Sequence, residues 1–165
     1  MKVQLREDYQ VPAFDNMRDA IRAGARAIFV NAPTGSGKTV IASALMEMVV
    51  EKGKRANFVV DRLSLIDQTS ITFDRYGLGH GVIQASHPRY RPSLPIQVCS
   101  VQTLSKRGWP TADIDVIDEA HILHASVKAR IASKQTIVVG MSATPFTKGL
   151  GRFFDAVVNV TTTRW

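Results

Sequence analysis

A short glycine-rich stretch, residues 32–39 with the sequence APTGSGKT, constrains the fold of this chain more than any other feature. It lies between an apolar run at residues 27–30 and an amphipathic run at residues 40–49. This order predicts a strand, a tight loop and a helix. Gly35 and Gly37 permit positive φ angles, so consecutive N–H groups of the loop can point at anionic oxygens. The stretch therefore predicts a cradle for the phosphates of a nucleoside triphosphate at a helix N-terminus.

The side chains of this loop have distinct predicted roles. Lys38 is expected to reach the β- and γ-phosphates, and the Thr39 hydroxyl is expected to ligate Mg²⁺. The strict pattern begins with glycine, whereas Ala32 stands at that position here. The alternative is an ordinary glycine turn before a surface lysine, which the flanking strand and helix disfavour. The predicted cofactors are ATP and Mg²⁺. The predicted nucleotide-binding residues of the loop are Pro33, Thr34, Gly35, Ser36, Gly37, Lys38 and Thr39.

Bulk composition limits the class of protein. The chain has 165 residues, enough for one domain with a sizeable core. Its net charge of +7 favours a polyanionic partner such as a nucleic acid, although basic charge could instead serve solubility. Cys99 is the only cysteine, which excludes an intrachain disulfide. Without a signal-peptide pattern or a spanning apolar run, we expect an intracellular, cytoplasmic chain, nucleoid-associated in a bacterium, with no membrane partner.

Apolar runs alternate with amphipathic segments along the chain. The predicted strands are 27–31, 56–60, 82–83, 96–101, 114–118, 136–140 and 156–160. The predicted helices are one that ends at Gly24 and those at about 39–52, 63–76 and 125–133. This alternation predicts a doubly wound α/β fold with a mostly parallel sheet of about seven strands. Such sheets bind ligands at the carboxyl ends of their strands, and the polar motifs of this chain follow its apolar strands.

A second motif, Asp118-Glu119-Ala120-His121, follows the strand that ends near Ile117. An acid at a strand end beside a phosphate loop can hold Mg²⁺. A second acid next to it can orient and deprotonate an attacking water. The alternative is a charged strand-to-helix turn with a capping acid. Both motifs occur in the expected order on the expected elements, which favours a triphosphate site.

In these motifs the chain resembles the first RecA-like motor domain of superfamily 2 helicases and translocases. Within that superfamily it resembles the DEAH-type group related to DNA-repair helicases and the motor subunits of restriction enzymes. The resemblance covers essentially the whole chain, and five motifs carry it. They are residues 32–39, residues 60–68, residues 100–104, residues 118–121 and Ser142-Ala143-Thr144.

The resemblance implies roles for the residues around the triphosphate. Asp118 would hold Mg²⁺ through water, and Glu119 would activate the hydrolytic water. His121 would link the γ-phosphate region to Ser142 and Thr144, which would couple hydrolysis to movement on nucleic acid. The implied catalytic set is Lys38, Asp118, Glu119 and His121, and the implied metal ligands are Thr39 and Asp118.

The resemblance also implies contacts with adenine and with nucleic acid. Gln10 matches the end of a motif in which a glutamine amide pairs with the adenine edge, although Arg6 stands one place too early for the usual pattern. A solvated Gln10 at a helix start is the alternative. Arg62, Gln102 and Thr103 would lie along the backbone of a nucleic acid, with DNA favoured over RNA.

In the resembling family, an arginine finger comes from a second RecA-like domain. Residues 146–165 contain no strand-rich block that could supply one. Residues 1–165 are therefore expected to form a single RecA-like ATP-binding domain, the N-terminal half of a motor, which alone binds ATP·Mg²⁺ weakly with little turnover. Two alternatives stay open: another P-loop phosphotransferase, and an ATP-gated nucleic-acid-binding module without unwinding activity.

Overall fold

The computed structural model describes residues 3–144 and 146–161. Within these residues the strands are β1 (Ala27–Asn31), β2 (Ala56–Val60), β3 (His80–Ile83), β4 (Ile96–Ser100), β5 (Ile114–Asp118), β6 (Ile137–Ser142) and β7 (Ala156–Asn159). The helices are α1 (Gln10–Arg22), α2 (Lys38–Glu51), α3 (Leu63–Arg75), α4 (Val101–Arg107) and α5 (Ala125–Ser133), with a 3₁₀ turn at Lys148–Arg152. The strands form one sheet in the order β3-β4-β2-β5-β6-β1-β7, and every pair is parallel.

The sheet separates two apolar cores. Helices α1 to α3 contribute Phe14, Leu45 and Phe73 to the larger core on one face. Helices α4 and α5 contribute Leu104 and Val127 to the smaller core on the other face. The doubly wound α/β prediction is thereby confirmed. No helix in the described ranges is both long enough and apolar enough to cross a membrane.

Strand order brings three motifs to one edge of the sheet. Strand β6 lies between β1, which leads into the glycine loop, and β5, which leads into the acidic motif. The register pairs Asn31 with Ser142 and Asp118 with Met141, so the three strands end at nearly the same level. The glycine loop, the acidic motif and the end of β6 therefore meet at the carboxyl edge.

Several predicted boundaries differ from the structure. The third strand begins at His80, two residues before its predicted start, and two further differences fall at candidate functional residues. The fourth strand ends at Ser100, and Val101 opens α4, where an extended strand end was expected. The Ser100 side chain caps this helix by accepting a hydrogen bond from the Thr103 N–H. Strand β6 runs through Ser142, which was expected to follow the strand. Helix α4 has only seven residues and buries only Val101 and Leu104, too few for a recognisable helical period.

Candidate active site

The glycine loop adopts the backbone conformation that its sequence predicts. Gly35 has a φ of 84° and Gly37 a φ of 80°, and Gly37 directly precedes α2 in the left-handed region. A Cβ at Gly37 would collide with the side-chain amide nitrogen of Gln10. Ala32, at the position where the strict pattern has glycine, is fully buried, and its N–H donates to the Ser142 carbonyl over 2.8 Å. The loop is thus tied to the end of β6.

Gln10 packs against this loop from α1. Its side chain is buried, its Nε2 donates to the Ser36 carbonyl over 2.9 Å, and its Oε1 accepts from the Arg6 N–H over 2.8 Å. The alternative of a solvated Gln10 is therefore wrong. Its contact with an adenine edge stays a prediction. What the structure adds is a direct link between α1 and the loop backbone.

Lys38 lies between the two carboxylates of the acidic motif. Its Nζ is 3.0 Å from Asp118 Oδ1 and 3.1 Å from Glu119 Oε1. Partial burial acts to lower the pKa of Lys38, but the attraction and hydrogen bonds of Asp118 and Glu119 outweigh it and hold that pKa above its usual value. Lys38 is therefore a cation whose charge is shared with two acids about 80 positions away in the sequence.

The backbone at Glu119 explains how consecutive acids reach one lysine. Successive side chains of a strand point to opposite faces. Glu119 has a φ of 53°, an uncommon conformation for a residue other than glycine, and this turns its carboxylate back toward Lys38. Hydrogen bonds from Ala120 N–H to the Met141 carbonyl and from Ile122 N–H to the Glu119 carbonyl hold the turn, at 3.0 and 2.9 Å.

His121 connects this turn to the end of β6. Its Nδ1 lies 2.7 Å from Ser142 Oγ and 3.6 Å from Glu119 Oε2. Ser142 Oγ also accepts from the Thr144 N–H over 2.9 Å, so this hydroxyl bridges His121 and the backbone at Thr144. The structure therefore brings His121, Ser142 and Thr144 together, with Thr144 contributing its backbone.

A cleft of about 260 Å³ opens beside Lys38. Its walls include Lys38, Thr39, Arg62, Gln68, Asp118 and Glu119. Gln68, with Thr69 and Thr72 on the same face of α3, also lines this cleft. Gln68 ends the motif at residues 60–68 that the resemblance places along nucleic acid, whereas Thr69 and Thr72 were not predicted from the sequence. Their helical spacing could have placed them on one face, but the sequence does not show that this face borders the loop.

The predicted nucleic-acid residues follow β2 and β4, which are neighbours in the sheet. Arg62 is exposed after β2. Gln102 is also exposed, and its Nε2 donates to the Asp61 carbonyl over 2.8 Å. Thr103 Oγ1 accepts from the Ala85 N–H over 3.3 Å, beyond the end of β3. The three residues thus share the carboxyl edge with the glycine loop.

The donor set at this edge fits a magnesium-bound triphosphate. The Thr39 hydroxyl and the Asp118 carboxylate are hard oxygen donors, the kind that Mg²⁺ prefers. The absence of a side chain at Gly37 makes room for the Gln10 amide, which a Cβ at that position would displace. Among the described residues no cluster of three or more histidine, cysteine or acidic side chains could form an all-protein metal cage. Mg²⁺ characteristically binds through one or two carboxylates and the phosphates themselves.

The phosphate loop and the pair of acids lie together at the carboxyl edge of a parallel sheet, one strand apart. This arrangement defines a RecA-like P-loop nucleotide-binding domain. Comparison with known families identifies it further. Residues 2–147 match the family described as "Type III restriction enzyme, res subunit", and the chain belongs to this family.

Curated relatives agree with this assignment. The chain is 31% identical over 158 residues to "Putative ATP-dependent helicase IRC3" of Saccharomyces cerevisiae, covering 83% of this chain and 23% of that protein. It is 33% identical over 130 residues to "Type I restriction enzyme EcoKI endonuclease subunit" of Escherichia coli, covering 68% of this chain and 11% of that protein. The chain therefore spans about a quarter or less of these two relatives.

Solved structures show the same fold. The UvsW helicase from bacteriophage T4 has a TM-score of 0.69 at 20% identity, covering 86% of this chain and 58% of that one. The Sulfolobus solfataricus SWI2/SNF2 ATPase core in complex with dsDNA has a TM-score of 0.69 at 17% identity, covering 88% and 33%. The Type ISP enzyme LlaGI in complex with a DNA substrate mimic has a TM-score of 0.72 at 14% identity, covering 96% and 20%. Family and fold together make the chain a first RecA-like domain of the superfamily 2 helicase and translocase class.

Proposed function

We propose that this domain binds ATP with Mg²⁺ and forms one half of a motor that couples ATP hydrolysis to movement along DNA. One observation carries the proposal: Lys38 Nζ lies 3.0 and 3.1 Å from the carboxylates of Asp118 and Glu119, beside the glycine loop. Triphosphate hydrolysis requires, in one place, a cation that binds the phosphates, an acid that holds Mg²⁺ and an acid that activates the attacking water.

Each residue of this cluster has a defined task. The loop N–H groups and Lys38 bind the phosphates, while Thr39 and Asp118 would hold Mg²⁺, which when bound neutralises charge on the phosphate oxygens. Glu119 accepts a proton from the attacking water. Lys38 pairs with both acids in this structure, so binding of phosphates must draw it away from them. That exchange frees Glu119 for its role as a base.

The turn after Glu119 would transmit this exchange. His121 touches both Glu119, at 3.6 Å, and Ser142, at 2.7 Å. A shift of the Glu119 carboxylate would therefore alter the contact with Ser142 and, through the Thr144 N–H, the chain beyond β6. This supports the coupling role that the family resemblance implies for Ser142 and Thr144.

The nucleic-acid contacts would go to phosphates and sugars. Arg62, Gln102 and Thr103 offer a guanidinium, an amide and a hydroxyl at the carboxyl edge, which suits salt-dependent and largely sequence-independent binding. DNA is favoured because two of the proteins with this fold are described in complex with DNA or a DNA mimic. A second RecA-like domain would supply an arginine finger, typically worth about 10³–10⁵ in rate. Without it we expect weak ATP·Mg²⁺ binding and slow turnover.

Two substitutions test the ATP site. Lys38→Ala should abolish nucleotide binding, because the loop loses its cation. Glu119→Gln should keep nucleotide binding and lower turnover by about 10²–10⁴, the usual contribution of a general base. Binding of a fluorescent ATP analogue and release of free phosphate, each with and without DNA, measure these effects. Glu51→Gln, at the exposed end of α2, is the matched control. Turnover at the wild-type rate in Glu119→Gln would contradict the proposal.

The same assays separate the remaining alternatives. Transfer of phosphate to an acceptor instead of water would indicate a phosphotransferase. Nucleotide-dependent DNA binding without any turnover would indicate an ATP-gated binding module. Vigorous DNA-stimulated hydrolysis by the 165-residue chain alone would contradict the need for a second domain.

A further inference from the structure

Asp61 and His124 face each other at the carboxyl edge of the sheet without forming a hydrogen bond. Asp61 follows β2, and His124 directly precedes α5. His124 Nε2 lies 3.9 Å from Asp61 Oδ2, close enough for attraction but too far for a hydrogen bond. Asp61 Oδ1 and His124 Nε2 are both buried, and neither has a hydrogen-bond partner among the described residues. Buried polar atoms are nearly always paired in folded proteins, so this open pair calls for a physical reason.

The turn that carries His124 also carries the catalytic candidates. Glu119, at its start, contacts Lys38 over 3.1 Å. His121, in its middle, contacts Ser142 over 2.7 Å. His124, at its end, faces Asp61. A six-residue turn therefore joins the phosphate loop, the end of β6 and the end of β2, and a movement at Glu119 can reach the other two.

Asp61 lies between the predicted nucleic-acid residues. Its carbonyl accepts from Gln102 Nε2 over 2.8 Å, and Arg62 is its neighbour in the chain. The Asp61 side chain is only 15% exposed, so it is held inside the edge, whereas Arg62 and Gln102 are exposed above it. A change in the position of Asp61 would therefore be passed directly to both.

We propose that Asp61 and His124 are positioning residues that couple nucleotide binding to nucleic-acid affinity. When phosphates draw Lys38 away from Glu119, the turn loses the salt bridge that restrains its start, and His124 Nε2–H closes onto the Asp61 carboxylate, a movement of about 1 Å to normal hydrogen-bond length. The resulting charge-assisted bond favours one position of the strand end that bears Arg62. Because the two sites bias the same contact, each ligand changes the affinity for the other by the same factor. The inference rests on the proposed function.

The test measures this factor directly. The affinity for a short fluorescein-labelled DNA duplex is measured by anisotropy with and without the non-hydrolysable analogue AMP-PNP and Mg²⁺, and the ratio of the two affinities is the coupling factor. The wild-type protein should give a factor of roughly five or more. His124→Ala should bring the factor close to one while leaving the affinity for AMP-PNP alone within about twofold, because His124 does not line the phosphate loop. His124→Gln, whose amide can still donate to Asp61, should keep part of the coupling.

The chain contains a matched control. His87 Nε2 lies 2.9 Å from Asp67 Oδ1, a second histidine–aspartate pair, whose aspartate is 75% exposed on α3. His87→Ala should leave the coupling factor unchanged. Asp61→Asn should lower the factor, and adding His124→Ala to it should lower it no further, because the two residues act through one contact.

The possible outcomes separate the two proposals. Coupling that survives in His124→Ala, or that is lost equally in His87→Ala, overturns the inference. So does a wild-type protein that binds both ligands with a coupling factor of one. A wild-type protein that binds neither nucleotide nor DNA overturns the proposed function itself.

Discussion

Strand β5 carries two aspartates that differ in burial and in their hydrogen-bond and ion-pair partners. Asp115 and Asp118 are three residues apart, so they point to opposite faces of the sheet. Asp115 is fully buried, and its carboxylate accepts hydrogen bonds from Asn57 at 2.8 Å, Arg130 at 2.7 Å and Thr136 at 2.6 Å. Every partner is a fixed part of the fold. This cluster, the Asp115 network, ties α5 and the start of β6 to the sheet.

Asp118 has one charged partner, and that partner is shared. Its side chain is 15% exposed at the cleft, and Lys38 divides its charge between Asp118 and Glu119. Such a lysine can exchange an acid for a phosphate, whereas in the other pair the Asp115 carboxylate has no exposed surface. An ion pair therefore indicates a functional site when its charge is shared between partners and a ligand can reach it. Burial with complete pairing indicates structure.

The largest expected effect concerns the Asp115 network. Asp115→Ala leaves the guanidinium of Arg130, whose side chain is 10% exposed, without its counter-ion, and breaking a largely buried pair in this way costs about 3–5 kcal/mol of the free energy of unfolding. Asp118→Ala should cost about 1 kcal/mol or less, because the pair is partly exposed and Lys38 keeps Glu119. Denaturation by guanidinium chloride measures both. An equal loss of unfolding free energy in the two variants would contradict the distinction between the closed Asp115 network and the open cluster of Lys38, Asp118 and Glu119.

The cluster of Lys38, Asp118 and Glu119, which is open to the cleft, was predictable from the sequence. The Asp115 network, which is closed, was not. Lys38, Asp118 and Glu119 each lie within a motif at or just beyond the end of a strand, and parallel strands bring their carboxyl ends to one edge. Asp115 lies inside an apolar strand, and its partners Asn57 and Arg130 come from elements with no pattern in common. The meeting of these residues depends on strand order and on the packing of α5, which local sequence does not specify.

Local structure limited the prediction in the same way. Helix α4 escaped notice because it is one and a half to two turns long and its exposed residues follow directly on a buried strand. The burial of Gln10 could not be foreseen, because it depends on how α1 approaches the phosphate loop. Long apolar strands were located almost to the residue, since complete burial gives a continuous apolar run.

An intermediate effect is expected at the glycine loop, where the open cluster depends on backbone shape. Gly37→Ala places a side chain at a φ of 80°, which costs about 1–2 kcal/mol, and its Cβ also displaces the Gln10 amide. Gly35→Ala is the matched control, because its φ is 84° but no atom lies within 4 Å of the added Cβ. Both variants should lose stability by the backbone cost. Gly37→Ala should in addition weaken binding of a fluorescent ATP analogue by roughly tenfold more, a difference of about 1.4 kcal/mol.

The smallest effect concerns a second closed cluster, at His80. His80 is buried, its Nδ1 lies 2.8 Å from the Leu78 carbonyl, and its Nε2 lies 2.6 Å from Ser70 Oγ. The Leu78 carbonyl can only accept, so the neutral ring donates from Nδ1 and its Nε2 accepts from the Ser70 hydroxyl, whose oxygen also accepts from Arg89. Burial lowers the pKa of His80 below its usual value of 6.5, outweighing the hydrogen bond to Leu78 and the attraction of Asp74.

This lowered pKa predicts a loss of stability in mild acid. Below pH 6.5 the unfolded chain binds a proton at His80 that the folded chain does not, so the free energy of unfolding falls as the pH is lowered, by at most about 1.4 kcal/mol per pH unit for one group. His80→Asn should flatten this slope even if it lowers stability overall. Lys38 provides the contrast: its raised pKa means that its contribution is complete below pH 10.5 and is lost only above it. If the slope of the unfolding free energy against pH is unchanged in His80→Asn, the folded protein accepts a proton on His80. Complete hydrogen-bond pairing would then not fix the charge state of a buried group in this fold.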